Sequence, residues 1–384
     1  MTEIKLIPGG VCAAQGFTGS GIHCGIRKNR TKRDLALILS SVPASAAAVY
    51  TTNLVKGGNA NTCNADGIEI AEETCALLAK ELGIAAEDVI VASTGVIGQR
   101  MSIEPFKTGI PPLCAALGKN SEDVAEAIMT TDTRLKEVAV EFTAGGKTCK
   151  LGGIAKGSGM IHPNMATMLV FITTDCAISP EMLQKALSAD VQNTFNMISV
   201  DGDTSTNDMV AVMANGLAGN AEITAEGEGF ESFMKALNTV TVHLCRCIAG
   251  DGEGATKLLE CLVTGALDEA AAKTVARSVI CSSLLKAAMF GADANWGRVL
   301  CAVGYSGAQV DIHKVGVAFH SKAGTVHVCE DGAGIPFSEE EAKKVLSESE
   351  IDILVTLGDG EASATAWGCD LTYDYVKING DYRT

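Results

Sequence analysis

Aromatic side chains are scarce in this chain of 384 residues, Phe, Trp and Tyr together making up 4%. The core of so long a chain must therefore be filled by Ala, Val, Ile, Leu and Met. Positive charge is also short: 30 Lys and Arg stand against 46 Asp and Glu, a net charge of −16. A surface of that sign repels nucleic-acid phosphates and anionic headgroups. No basic cluster offsets it, so neither nucleic acid nor membrane is an expected partner. No run of 18 or more apolar residues occurs. The nearest, residues 35–50, is broken by Ser40, Ser41, Pro43 and Ser45, and no membrane span is expected. The opening residues MTEIKLIPGG lack a basic stretch followed by an apolar one, so no signal peptide is expected and the predicted location is the cytoplasm. Cysteines spaced CxxC are missing as well. The fourteen thiols stand scattered from Cys12 to Cys369, with Cys245 and Cys247 the closest pair. In a chain able to bury its own core they read as small hydrophobes in a reducing compartment, not as a disulfide framework.

The composition that remains is 47% hydrophobic with 41 glycines, that of a globular protein. Its length suggests two to three domains or one large two-lobed unit. Periodicity predicts helices over 70–83, closed by Gly83, and over 121–129 with Ser121 as N-cap. Further helices are expected over 179–189, 230–237, 267–290 with a break, and 338–346, the last opened by the capping sequence Ser-Glu-Glu-Glu. The first 60 residues read as short strands and turns. Strands are expected at 89–93, running into Thr94-Gly95, and at 138–142 and 168–173. Were Cys245 and Cys247 in a strand, they would point to one face, too close along the chain for ordinary disulfide geometry. With no repeat period, these are α and β elements in layers.

The segment KGSGMIHPNMATML, 156–169, carries most of the chemistry. A glycine-rich turn and a proline-broken stretch bring small Ala166 before Thr167, and an apolar strand follows. A threonine at the head of a buried strand can act as a nucleophile with its own amine as base, provided the peptide bond before it is cut. The plainer alternative is an ordinary strand-start threonine. His162 lies near in sequence, but nothing beyond proximity makes it a base. Asp201, Asp203 and Asp208 suggest a cation loop, yet Thr206 and Val212 stand where an EF-hand needs Gly and Glu. Residues 250–254, GDGEG, set two carboxylates where a phosphate loop would hold its anion. His320 and His327 have no partners at zinc spacing, and Trp296 and Arg298 suit core and ion-pair roles at least as well as binding. No metal and no organic cofactor are expected.

Six other segments accompany the first: VASTGVIG (91–98), IMTTDT (128–133), SVDGDTSTND (199–208), GDGEGATK (250–257), ADANWGR (292–298) and INGDYRT (378–384). In this order the seven resemble the ornithine acetyltransferases, the arginine-biosynthesis family called ArgJ. The resemblance implies a two-lobed α/β fold of the self-processing N-terminal-threonine acyltransferase kind, similar to the DmpA-like fold. Thr167 would cut the chain after Ala166 and then accept acetyl. The products would be an α chain, 1–166, forming the N-terminal lobe with the oxyanion and processing segments, and a β chain, 167–384, forming the C-terminal lobe. Thr94 through its hydroxyl and Gly95 through its N–H would form the oxyanion hole. Lys156 would pair with a substrate carboxylate and Glu253 with a substrate ammonium. Asn379 and Thr384 would complete the pocket. Thr130 or Thr131 would add a wall, and the spacing leaves both open. The implied reaction is ping-pong transfer of acetyl from N-acetylornithine to glutamate. Acetyl-CoA as a further donor is left open by the sequence. The chains would assemble as α2β2. A related self-processing amidohydrolase or aminopeptidase with the same nucleophile is the alternative.

Overall fold

The computed structural model describes residues 3–29, 31–51, 65–162 and 168–381. Two mixed sheets organise them into two lobes with α-helices packed on both, a mixed α/β fold. The first sheet runs, in spatial order, Lys5–Ile7, Lys136–Ala144, Lys147–Lys156, Leu169–Thr174, Met209–Ala214 and Ser45–Tyr50. Its pairs are antiparallel except Leu169–Thr174 with Met209–Ala214, which is parallel. The second runs Ala333–Gly334, Gly324–Glu330, Gly316–Ser321, Glu350–Thr356, Leu258–Ala266, Ala362–Cys369 and Ile198–Ser199. A separate hairpin, Phe17–Ile22 with Leu35–Ser40, lies by the first sheet.

The helix Glu228–Gly250 packs on strands of both sheets, and one apolar core runs through it from lobe to lobe. Phe142 of the first sheet meets Phe233 of this helix edge to face, with ring centroids 6.3 Å apart. A helix covered on more than one side is apolar beyond a single stripe. That is why the predicted helix 230–237 stops short: the β-branched run after it hides the period, although the helix continues to Gly250. Cys245 and Cys247 are therefore helical residues and do not share a strand face. The strand Lys147–Lys156 can be approached from both sides because it carries Gly152 and Gly153 on opposite faces. A Cβ on Gly152 would lie 1.9 Å from the Gly10 carbonyl oxygen, and one on Gly153 would lie 3.1 Å from Val240 and Leu244 of the long helix.

Other expectations meet their outcome locally. The helix Gly67–Leu82 ends at Gly83 in the left-handed conformation, φ 69°. The 267–290 helix breaks into Glu269–Cys281 and Ser283–Phe290, and Ser282 caps the second through the Leu285 N–H. Ser338 caps Glu339–Leu346 through the Glu341 N–H. Residues 89–93 form no strand; among the described residues none pairs with them, and Val89, Ile90 and Val91 line a cavity instead. Ser121 is the first residue of the helix Ser121–Ile128 and not its cap. Its hydroxyl accepts from the Val11 N–H and donates to Glu137. The described cysteines are free thiols, and burial pushes those of Cys245 and Cys261 far up. Among the described residues no helix is long and apolar enough to cross a membrane.

Candidate functional site

The register of the first sheet sets Lys156 beside Leu169 and Leu169 beside Met209. Lys156, Met168 and Asp208 therefore converge at one end of three adjacent strands. Lys156 is buried, at 2% exposure. Burial pushes its ammonium down, Asp132 opposes this, Lys136 adds to it, Asp208 opposes and Arg27 adds again. A lysine so placed has little water to solvate its charge, so an incoming carboxylate is a strong partner.

Beneath it lies a buried ion network. Lys136 Nζ donates to Asp132 Oδ1 at 2.6 Å and to Asp251 Oδ2 at 2.5 Å. Asp132 also accepts the N–H of Gly157 at 2.7 Å and that of Thr130 at 2.9 Å. Asp251 accepts the N–H and hydroxyl of Thr133, and Ser158 Oγ donates to the Asp251 carbonyl at 2.6 Å. Burial pushes the Asp132 carboxyl up, but Lys156, Lys136 and the Gly157 N–H outweigh it and hold it well below the usual carboxylate range. One lysine thus ties together the 130–133 segment, the turn after Lys156 and the loop that carries Glu253. Sequence reasoning missed Asp132, Lys136 and Asp251. The signal available was Asp251 inside the quoted GDGEG loop and Asp132 inside IMTTDT; nothing in the spacing pointed to Lys136 as their shared partner.

Glu253 and Asn379 meet directly, Asn379 Nδ2 donating to Glu253 Oε2 at 2.8 Å. The Glu253 N–H donates to the Ser158 carbonyl at 2.9 Å. Gly159 lies against it: a Cβ there would lie 2.4 Å from the Glu253 carboxyl, so a side chain at this position would displace that carboxyl. The 199–208 loop holds the backbone on both sides of residues 163–167. Asp201 accepts from the N–H of Met160 at 2.6 Å and of Ile161 at 2.9 Å, and Asp208 Oδ1 accepts from that of Met168 at 2.7 Å. The same loop reaches the 91–98 segment, Asn207 Nδ2 donating to the Ser93 carbonyl at 3.0 Å. Asp201 and Asp208 thus clamp the backbone on either side of residues 163–167. His162 is engaged elsewhere. Its ring nitrogens lie 3.1 Å from Arg277 Nη2 and 3.2 Å from Ser199 Oγ, and burial followed by Arg277 pushes its pKa down.

Thr94 and Gly95 lie in an irregular stretch and line, with Thr130, Thr131 and Leu169, a cavity of about 820 Å³. Its walls are largely apolar and come from the hairpin, the helices Gly67–Leu82 and Glu104–Ala115, and the first sheet.

The model of the ArgJ family matches residues 54–384. The arginine biosynthesis bifunctional proteins of Thermotoga neapolitana and Caldanaerobacter subterraneus subsp. tengcongensis are 47% and 48% identical to the chain. They cover 96% and 99% of it and are themselves covered over 99% and 100%. The chain belongs to the ArgJ family. Among solved structures, the Bacillus halodurans arginine biosynthesis bifunctional protein is similar with a TM-score of 0.53 and 48% identity, covering 56% of this chain and 98% of that one. The residues that the ArgJ resemblance implies fall into two groups. Thr94, Gly95, Thr130 and Thr131 share the cavity wall, while Lys156, Glu253 and Asn379 belong to the polar cluster. Asp132 joins the groups, binding Thr130 on one side and Gly157 on the other. Ala166, Thr167 and Thr384 lie outside the described residues.

Proposed function

We propose that the chain is a self-cleaving glutamate N-acetyltransferase of arginine biosynthesis, carrying acetyl from N-acetylornithine to glutamate through an ester on Thr167. The observation that carries this reading is the likeness, along almost the whole chain, to arginine biosynthesis bifunctional proteins. The chemistry of the cluster supports it, for a buried ammonium and an exposed-side carboxylate suit an amino acid with a carboxylate and a second amine.

In maturation, Thr167 Oγ attacks the Ala166 carbonyl carbon. The C–N bond breaks, the nitrogen takes the Oγ proton, and an ester forms; water then hydrolyses it to free the Thr167 hydroxyl and α-amine. An unperturbed α-amine titrates at about 7.7–8.0, so it serves as base near neutrality. In transfer the amine takes the Oγ proton as Oγ bonds the acetyl carbon. Thr94 and Gly95 hold the oxyanion. The proton passes to the ornithine nitrogen as the amide bond breaks. The amine of glutamate then attacks the acetyl ester, and Oγ regains its proton. Lys156 takes the carboxylate common to both substrates and Glu253 the ornithine ammonium. Asn379 and Thr384 close the C-terminal side, and Thr130 or Thr131 the opposite wall. Acetyl-CoA is the proposed second donor, supported by the bifunctional description of the relatives and by a cavity with room for more than an acetyl group. The cut chains stay together in the cytoplasm as α2β2.

Thr167→Ala tests the reading. Denaturing mass spectrometry should find a single uncut chain that takes up no acetyl from N-acetylornithine. The wild type should show two fragments, with acetyl on the one that begins at Thr167. Cleavage of the variant at the same bond would remove Thr167 as nucleophile, and acyl release to water without transfer to glutamate would favour a hydrolase.

A further inference from the structure

The strands Lys147–Lys156 and Leu169–Thr174 pair antiparallel from Lys156 with Leu169 to Leu151 with Thr174. One step further the Asp175 N–H donates to the Lys150 carbonyl at 3.3 Å, and the Lys150 N–H donates to Asp175 Oδ1 at 2.7 Å. The same register then sets Cys149 opposite Cys176. Hydrogen-bonded and non-hydrogen-bonded pairs alternate along such a ladder. The pair after 150 and 175 is of the second kind, in which Cα atoms approach to about 4.5 Å. A disulfide spans about 4.4–6.8 Å between Cα atoms, so the backbone here is already close enough to carry one.

Both side chains are buried at 0% exposure in the core that runs between the lobes. They are free thiols, hydrogen-bonded to each other. Asn220 holds the place: Cys149 Sγ lies 3.7 Å from its Oδ1, which also accepts the Ala177 N–H at 2.8 Å. The bond between the thiols pushes Cys149 down, against burial and Asp175, and pushes Cys176 up together with burial. Burial sends thiols elsewhere, Cys245 and Cys261 among them, the other way from Cys149. A thiol favoured toward thiolate beside a second thiol is the arrangement in which one sulfur attacks and the other resolves.

We propose that Cys149 and Cys176 form a modification site that closes to a disulfide on exposure to hydrogen peroxide. The Cys149 sulfur attacks one peroxide oxygen, the O–O bond breaks, and the departing hydroxide takes the thiol proton and leaves as water. The Cys176 sulfur then attacks the Cys149 sulfenic acid. The S–S bond forms, the S–O bond breaks, and the second hydroxide leaves as water with the Cys176 proton. The two sulfurs are oxidised, the peroxide is reduced, and the protein loses two hydrogens. Cys149 precedes Ala166 and Cys176 follows Thr167, so the bond fastens the α chain to the β chain. That fastening rests on the proposed cut, whereas the bond itself does not. Lys156 stands at the other end of the strand, about 23 Å away at strand spacing, so the disulfide leaves the polar cluster untouched.

The test treats the purified protein with hydrogen peroxide, denatures it in N-ethylmaleimide and maps its peptides. The peptide with Cys149 should be found joined to the one with Cys176, two hydrogens lighter than the reduced pair. A denaturing gel without reductant should show one band at the mass of the whole chain, 39.7 kDa, which dithiothreitol parts into two. Cys176→Ala should abolish both signals, and Cys149→Ala serves where that variant does not accumulate. Recovery of the two cysteines unjoined from wild type would overturn the proposal, as would a joined band that survives in either variant. An uncut wild type would give one band with or without dithiothreitol. The joined peptide would then still uphold the bond, and only the cut after Ala166 would fail.

Discussion

Lys136 is buried at 1% exposure between two carboxylates and touches no position proposed to contact substrate, yet three segments of the site depend on it. Replacing it with methionine leaves Asp251 buried without its cation and Asp132 with Lys156 alone beside it. Breaking one partner of such a pair destabilises by about 3–5 kcal/mol, because the remaining charge is neither solvated nor paired. Lys136→Met should therefore unfold at clearly lower urea concentration than wild type, and an unchanged midpoint would show that backbone donors alone satisfy the two aspartates. At this scale the sequence is legible where a residue carries its chemistry by type. Lys156, Glu253 and Asn379 could be singled out because a motif marked them, and Glu253 and Asn379 do meet. Asp132 and Lys136 could not be singled out, and Asp208 could be noticed only as part of an acidic loop, because what distinguishes them is burial and who lies opposite. An aspartate that clamps Met168 and one that would hold a cation look alike in one dimension.

The elements that the sequence foretold share one trait: their signals are local. Gly83 ends its helix by adopting φ 69°, and Ser338 caps its helix through its own hydroxyl, both within a few residues. Where the expectation failed, the deciding contact is distant in sequence. Residues 89–93 are apolar enough for a strand but face a cavity, and Ser121 gives its hydroxyl to Val11 and Glu137 instead of its own helix. Pro111 and Pro112 hid the helix Glu104–Ala115, whose Phe106, Ile110 and Leu113 are nevertheless buried. The strand Lys147–Lys156 delivers Lys156 to the site, and its glycine pair is what lets both faces pack. Gly152→Ala would drive a Cβ to 1.9 Å from the backbone oxygen of Gly10, which cannot rotate away as a side chain would. Overpacking of this kind costs about 1–3 kcal/mol, and more where backbone must move. We expect a lower thermal midpoint together with weaker acetyl transfer; a variant as stable as wild type would show that the strand yields more easily than its packing implies.

In the whole molecule, the strand before residues 163–167 and the strand after them are sheet neighbours. Lys156 pairs with Leu169, and the pairing continues to Leu151 with Thr174. A cut after Ala166 would thus fall between two strands already hydrogen-bonded to each other, so the α and β chains would share a sheet and a core. The fragments should co-elute in native buffer and part only in denaturant. Native mass spectrometry should find two copies of the 39.7 kDa chain in the assembly. Separation of the fragments without denaturant would refute the shared-sheet argument, and a mass of one copy would refute α2β2. The amino-acid order by itself determined the family-like segments, the caps and breaks of the helices, the α/β character and the scarcity of basic surface, because each is a property of residue type at short range. The tertiary structure decided how the long helix spans both sheets, how one buried lysine binds the pieces of the site, and which two of the scattered thiols meet. Those depend on burial and on contacts between residues far apart in the chain, where desolvation turns ordinary charges into strong constraints.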